Sequence, residues 1–108
     1  MSDFSLGSFE EQVLLMVAVL HGEAYGVAIR DELTSRTGRT VHISAVHSSL
    51  NRLEKKGFLR SAMGEPTAER GGRRKRLFTL TGSGKQALMD ARAFRETAWN
   101  QIPEMIWS

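Results

Sequence analysis

The chain has 108 residues, with 15 Lys or Arg against 12 Asp or Glu and no cysteine. This length predicts one small domain with a modest core, and oligomerisation is a common way to stabilise such a domain further. The cysteine count excludes disulfides, thiolate chemistry and the common structural zinc sites. Without a long apolar run or a basic-then-apolar leader, we expect a cytoplasmic protein that neither spans a membrane nor is secreted by a standard signal.

The charged residues are unevenly distributed along the chain. Residues 1–29 contain four acids and no Lys or Arg, whereas residues 36–89 contain twelve Lys or Arg and three Glu. A basic middle that follows an acidic start predicts that one part of the molecule binds a polyanion.

The first predicted helix starts at Ser8, which is placed to cap it, and runs to about His21. Apolar residues occupy almost every side of this helix, so we expect it to be buried between two layers. One layer is the core of the domain, and the other could belong to a second subunit.

A second helix is predicted from Tyr25 or Gly26 to Thr37, ending at Gly38. Its predicted core residues are Val27, Ala28, Ile29 and Leu33. A short extended bridge over residues 38–42 leads into the next helix. Two helices with such a short connection are typical of a helix-turn-helix pair, in which the second helix reads DNA.

That second helix of the pair covers Ile43 to Gly57. Its apolar side comprises Ile43, Val46, Leu50 and Leu53, and Gly57 is placed to end it. The opposite side comprises Ser44, Ala45, Ser48, Asn51, Arg52 and Lys55. A slim face rich in hydrogen-bond donors suits a DNA major groove, although an amphipathic surface helix is the alternative interpretation.

Strand-like segments follow at Phe58 to Met63 and at Arg74 to Leu80, joined by a Gly- and Pro-containing loop over residues 64–73. This pattern predicts a β-hairpin wing. Five cations fall within seven residues at its tip and return strand: Arg70, Arg73, Arg74, Lys75 and Arg76. They favour contact with phosphates or the minor groove, whereas the alternative is that they protect an exposed sheet edge.

Thr81 can cap a last helix, although Gly82 and Gly84 weaken its first turn. Near-heptad apolar positions follow at Leu88, Ala91, Phe94 or Arg95, Ala98, Ile102 and Met105. Pro103 should end or kink this helix. We therefore predict a mainly α fold with a small β-hairpin wing, in which residues 1–80 form a winged helix-turn-helix domain and residues 81–108 a C-terminal dimerisation helix.

Other chemistry has little support in the sequence. Gly82-Ser83-Gly84-Lys85 resembles the end of a phosphate loop, but Gln86 replaces the required Ser or Thr. The three histidines lack metal-ligand spacing, and no nucleophile, base and acid group together. We expect no enzyme activity, no metal and no cofactor.

Three stretches of the sequence resemble the PadR family of winged-helix transcriptional regulators. They are LLMVAVLHGEAYGVAI, ISAVHSSLNRLEKKGFL and GEPTAERGGRRKRLFTLTGSGKQAL. The resemblance covers nearly the whole chain and implies a homodimer, usually a repressor, with dimer contacts through the last helices and often an effector pocket. His47 stands where family members usually carry a tyrosine, and an imidazole could contact a phosphate there.

The leading hypothesis is a dimeric repressor that binds a double-stranded DNA operator. Predicted base-facing residues are Ser44, Ala45, Ser48, Asn51 and Arg52; predicted phosphate or minor-groove residues are Tyr25, His47, Lys55, Arg70, Arg73 and Arg74. The rival hypothesis is a winged-helix module that binds a partner protein without specific DNA binding. Such a module would expose apolar residues on the third helix.

The C-terminal aromatic residues allow two interpretations. Phe94, Ala98, Trp99, Ile102 and Ile106 are predicted to form either the dimer core or an effector pocket, with Trp107 nearby. Some short PadR relatives look similar in placing tryptophans across the dimer cleft, where flat aromatic compounds stack. A planar aromatic effector, preferably cationic, is therefore a possible partner.

Overall fold

The computed structural model of the protein describes residues 6–64 and 75–108. It contains four α-helices, α1 (Ser8–Val19), α2 (Gly26–Thr37), α3 (Ile43–Lys55) and α4 (Gly82–Asn100), and two strands, β1 (Leu59–Met63) and β2 (Arg76–Leu80). A short 3₁₀ turn, Glu104–Trp107, follows α4. The strands pair in antiparallel register from Leu59 opposite Leu80 to Met63 opposite Arg76. This architecture confirms the predicted fold class.

Helices α1, α2 and α3 pack around one apolar core. Its buried members are Val13, Leu14, Met16, Val17, Ala24, Ile29, Leu33, Val46, Leu50, Leu53, Phe58, Leu59 and Phe78. The segment before α2 adds to the sheet, because Phe78 N donates to Ala24 O at 3.0 Å and Tyr25 bridges to Leu77. Strand β2 is thereby fixed against the start of α2.

Several element ends and environments differ from the predictions. Helix α1 is capped by Gly7 rather than Ser8 and ends at Val19 rather than near His21. Val27 is 52% exposed, because it lies in the first turn of α2 beside the wing instead of over the core. The predicted Gly57 ending of α3 is confirmed by its φ of +83°.

Helix α4 begins as predicted and ends earlier than its apolar pattern indicated. Thr81 Oγ1 accepts a hydrogen bond from Gly84 N at 3.0 Å, which confirms the cap. Gly84 is buried, and a Cβ at this position would overlap the carbonyl oxygen of Phe58, so the glycine permits a close approach to the core. The helix stops at Asn100, and the predicted helical positions Ile102 and Met105 therefore lie beyond it. Pro103, which lacks a backbone donor and was predicted to end or kink the helix, lies just beyond the end of α4 and caps the 3₁₀ turn.

Candidate nucleic-acid interface

The two sides of α3 have the separation that its sequence predicts. Val46, Leu50 and Leu53 are fully buried. The side chains on the other side are exposed: Ser44, Ala45, His47, Ser48, Asn51 and Lys55. Within the described part of the chain, Ser44, Ser48, Asn51 and Lys55 make no side-chain hydrogen bond or ion pair. Their donors and acceptors are available to a ligand.

Arg52, predicted to face bases, has a side chain that is 55% exposed and makes contacts within the chain. Its Nε donates to Glu10 Oε2 of α1 at 2.8 Å, and its Nη2 donates to Ser49 Oγ at 3.3 Å. Lys56 Nζ donates to the other oxygen of the same carboxylate at 2.7 Å. The Arg52 guanidinium therefore lies toward α1 and holds α3 against it, instead of extending from the base-facing side with Asn51.

Glu10 is the centre of this cluster, and its side chain is only 8% exposed. Burial alone raises the pKa of Glu10, but hydrogen bonds from Lys56, Arg52 and the Gly7 backbone N–H outweigh it and lower that pKa from 4.5 to about 2. The carboxylate stays ionised at neutral pH. This carboxylate thus links α1 to the C-terminal half of α3.

A cleft of about 340 Å³ lies between the start of α2, the middle of α3 and β2. Its lining includes Tyr25, His47, Asn51, Lys75 and Arg76. The Lys75 ammonium lies 5.5 Å from the centre of the Tyr25 ring, a cation–π distance. The structure thus brings two predicted phosphate-binding residues, Tyr25 and His47, into one basic depression beside the exposed side of α3.

The wing is connected to α3 by a short hydrogen-bond relay. Ser61 Oγ of β1 donates to Glu54 Oε2 at 2.8 Å, and Arg76 Nη1 of β2 donates to Ser61 Oγ at 2.9 Å. This relay fixes the root of the wing relative to the C-terminal half of α3. The predicted contact residues Arg70, Arg73 and Arg74 lie outside the described residues.

The C-terminal residues present apolar side chains to solvent. Phe94 is 75% exposed and Trp99 64%. Five positions separate these two residues, which corresponds to about 140° around the helix, so they lie on different sides of α4. Phe94 borders an open groove of about 820 Å³ between α1 and α4. Across that groove, Arg95 Nη2 donates to Glu11 Oε1 at 2.9 Å.

The 3₁₀ turn after α4 brings Trp107 back against Trp99. Their ring centroids are 5.3 Å apart, and their planes are tilted by 34°. Met105, Ile106 and Trp107 remain at least 58% exposed. The five predicted dimer or pocket residues therefore form two groups. Phe94 and Ala98 share one side of α4, and Trp99, Ile102 and Ile106 lie at its C-terminal end and beyond.

Among residues 6–64 and 75–108, no group of three His, Asp or Glu is arranged to hold a metal ion. No helix in the same part of the chain combines the length and apolarity needed to cross a membrane.

The interhelical role of Glu10 and the packing of Gly26 beside His47 were not predicted from the sequence. A Cβ on Gly26 would lie 2.8 Å from His47 Cε1, so only a glycine leaves room for the imidazole as it is placed. The signals were an acid at the third position of a helix and a glycine at the start of the next. Neither signal identifies a partner that lies tens of residues away along the chain.

Comparisons with known proteins agree with this architecture. The model of the transcriptional regulator PadR-like family matches residues 14–90. RosR of H. salinarum is similar in structure, with 22% identity and a TM-score of 0.70 over 92% of this chain and 82% of that one. A PadR family transcriptional regulator from Eggerthella lenta has 21% identity and a TM-score of 0.67, over 87% of this chain and 80% of its own.

A PadR-like transcription factor from Bacteroides fragilis has 22% identity and a TM-score of 0.69, covering 85% of this chain and 84% of that one. No curated protein matches the sequence. At such identities the structural similarities establish the fold.

Proposed function

This chain belongs to the transcriptional regulator PadR-like family, and we propose that it is a homodimeric, sequence-specific DNA-binding repressor of the cytoplasm, relieved by a small molecule. In this proposal residues 1–80 bind DNA and residues 81–108 hold the dimer together. The protein has no catalytic role. The observation that carries the proposal is the exposed, slim side of α3, where Ser44, Ser48, Asn51 and Lys55 have no side-chain partner among the described residues.

That side of α3 has the properties needed in a major groove. Apart from His47 at its edge, its first two turns carry only small side chains and hydroxyls, so the helix can approach base edges closely. We propose that Ser44, Ala45, Ser48 and Asn51 meet bases. Arg52 is left out because its guanidinium is bound to Glu10 and Ser49.

The phosphate contacts come from residues around that helix. We propose Tyr25, His47 and Lys55 at the cleft and along α3, together with Arg70, Arg73 and Arg74 of the wing. The basic lining of the cleft supports this assignment. The alternative function, a protein-interaction module, is less well supported because the exposed side of α3 carries no large apolar residue.

Salt dependence of DNA binding tests the proposed interface. Binding of a labelled random-sequence duplex is measured by fluorescence anisotropy at several salt concentrations. A Lys55→Ala variant should bind more weakly and have a log-log salt slope lower by about 0.9 per lost phosphate contact. Lys85→Ala, which removes an exposed cation from α4, is the matched control. Equal slopes for wild type and the Lys55 variant would exclude α3 from the interface.

Dimerisation is proposed because α4 exposes more apolar surface than one chain covers. The side chains of Phe94, Trp99 and Trp107 are each more than half exposed, although the two tryptophans contact each other. Leu15 and Val19 of α1, one turn apart, are also about half exposed and offer a second apolar patch. A symmetric dimer would place two α3 helices in successive major grooves, about 34–36 Å apart.

The effector proposal rests on the paired indoles. Trp99 and Trp107 keep more than half of their surfaces exposed while contacting each other, so a flat aromatic molecule can stack on them. A cationic one is preferred because ring faces attract positive charge. Its binding changes DNA affinity only if it binds DNA-competent and DNA-incompetent dimers unequally.

A planar cationic dye tests this site. It should quench tryptophan emission in the wild type, quench it much less in Trp99→Ala, and weaken DNA binding in the wild type. Unchanged quenching in Trp99→Ala would remove Trp99 from the site. Quenching with no change in DNA affinity would contradict the regulatory role.

A further inference from the structure

His47 lies on α3 at the boundary between its proposed DNA-facing side and α2. It is exposed on α3, and its imidazole packs over Gly26 at the start of α2, where a Cβ would approach Cε1 to 2.8 Å. It also lines the cleft between α2, α3 and β2. The ring is therefore positioned by its surroundings and remains open to a ligand.

The charged and titratable groups that line the cleft with this imidazole are Tyr25, which caps α2, Lys75, which precedes β2, and Arg76, the first residue of β2. Asn51, on the same helix as His47, is uncharged. No carboxylate lines the cleft among the described residues. A protonated His47 therefore has no counter-ion within this part of the protein, and an anion placed at the cleft would supply one.

We infer that His47 takes up a proton when a DNA phosphate enters this cleft, so that the affinity of the protein for DNA increases as the pH falls from 8 to 6. The inference rests on the proposed DNA-binding function and adds a regulatory property to the same interface. Imidazole is the side chain whose ordinary charge change falls between pH 5 and 8. A neutral imidazole can donate one hydrogen bond to a phosphate, whereas an imidazolium adds a full positive charge.

Two measurable quantities follow from this proton uptake. An exposed, salt-screened ion pair of this kind should tighten DNA binding roughly fivefold per protomer between pH 8 and pH 6. Because one more phosphate is neutralised by a cation at the lower pH, the salt slope should also become steeper by about 0.9 per protomer. The effect concerns phosphates and should appear on any DNA sequence.

The chain supplies its own controls, since its three histidines are His21, His42 and His47, all of them exposed. Full-length wild type and the variants His21→Gln, His42→Gln and His47→Gln are titrated with a random-sequence duplex at pH 6 and pH 8. Each titration is repeated at several salt concentrations. Thermal unfolding at both pH values verifies that every variant is folded.

The inference predicts that His47→Gln alone loses both the affinity change and the slope change. The wild type, His21→Gln and His42→Gln should keep them. The inference is overturned if binding by His47→Gln still depends on pH. It is also overturned if the wild type binds tightly but with the same affinity at both pH values. Either result leaves the DNA-binding proposal standing. Failure of the wild type to bind DNA at either pH would instead refute the proposed function itself.

Discussion

The helix-turn-helix region and the C-terminal segment bury their apolar residues to very different extents. In the described residues, all thirteen buried hydrophobic side chains lie between Val13 and Phe78. From Gly82 onward only Gly84 is buried, and six large hydrophobic residues are exposed. The first region is complete as a single chain, whereas the second resembles a surface that a partner covers. Stability is therefore expected to depend on the first region, and assembly on the second.

A charge on the exposed side of α4 is the strongest test of this difference between the self-contained first region and the exposed C-terminal segment. Phe94→Asp should produce a folded monomer, because Phe94 is 75% exposed and contributes little to the core of its own chain. Loss of the second DNA-binding half should weaken operator affinity by about 10² to 10⁴-fold. Sedimentation and DNA titration measure the two effects.

Ala93→Asp places the same charge one position earlier, about 100° around α4, and serves as the control. It should remain dimeric. If Phe94→Asp stays a dimer and binds operator normally, the dimer interface lies elsewhere. If Phe94→Asp unfolds, Phe94 contributes to the folding stability of its own chain, and the distinction between the two regions fails.

The stability of the first region should depend on Glu10. Its folded-state pKa of about 2 is below its ordinary 4.5, so the stabilisation is complete above pH 4.5 and is lost as pH falls toward 2. Glu10→Gln should lower the free energy of unfolding at pH 7 by about 3 kcal/mol. The difference from wild type should shrink toward zero near pH 2.

Chemical denaturation across this pH range measures the effect. Glu23→Gln, which neutralises an exposed carboxylate, is the control and should change little. A constant difference between wild type and Glu10→Gln at all pH values would show that the lost stability does not come from the ionised carboxylate.

Alanine substitutions at two glycines in the first turn of α4 should change the free energy of unfolding in opposite directions. Gly84→Ala places a methyl group on the Phe58 carbonyl and should cost about 2 kcal/mol. Gly82→Ala meets nothing within 4 Å and should stabilise by about 0.5 kcal/mol, because alanine restricts the unfolded chain. Denaturation curves separate the two. Equal effects would mean that α4 does not contact the core at Gly84.

The spacing of residues in the sequence correctly predicted the structural features that depend on a single helix or strand. The buried and exposed sides of α3, the cap at Thr81 and the two wing strands were all predicted correctly, the strands to within two residues. Each of these features follows from local spacing or from a single side chain that satisfies nearby backbone groups.

Features that depend on contacts between elements were not predictable in this way. Arg52 shares the polar side of α3 by spacing, but a carboxylate 42 residues earlier determines where its guanidinium lies. Val27 has core spacing, yet the first turn of α2 lies at the cleft. The apolar repeat after Asn100 continued in sequence although the helix had ended there. A one-dimensional pattern contains no information on which neighbour is within reach.

Adjacent residues of α3 provide the most direct test of the central claim, that its exposed side reads DNA. Asn51 is exposed and unpartnered among the described residues, and Arg52 is bound to Glu10. Affinity for a selected operator and for a random duplex is measured for Asn51→Ala and Arg52→Ala. Asn51→Ala should reduce the operator preference about tenfold, while Arg52→Ala should lower stability and keep the preference. A preserved preference in Asn51→Ala together with a lost preference in Arg52→Ala would contradict the account.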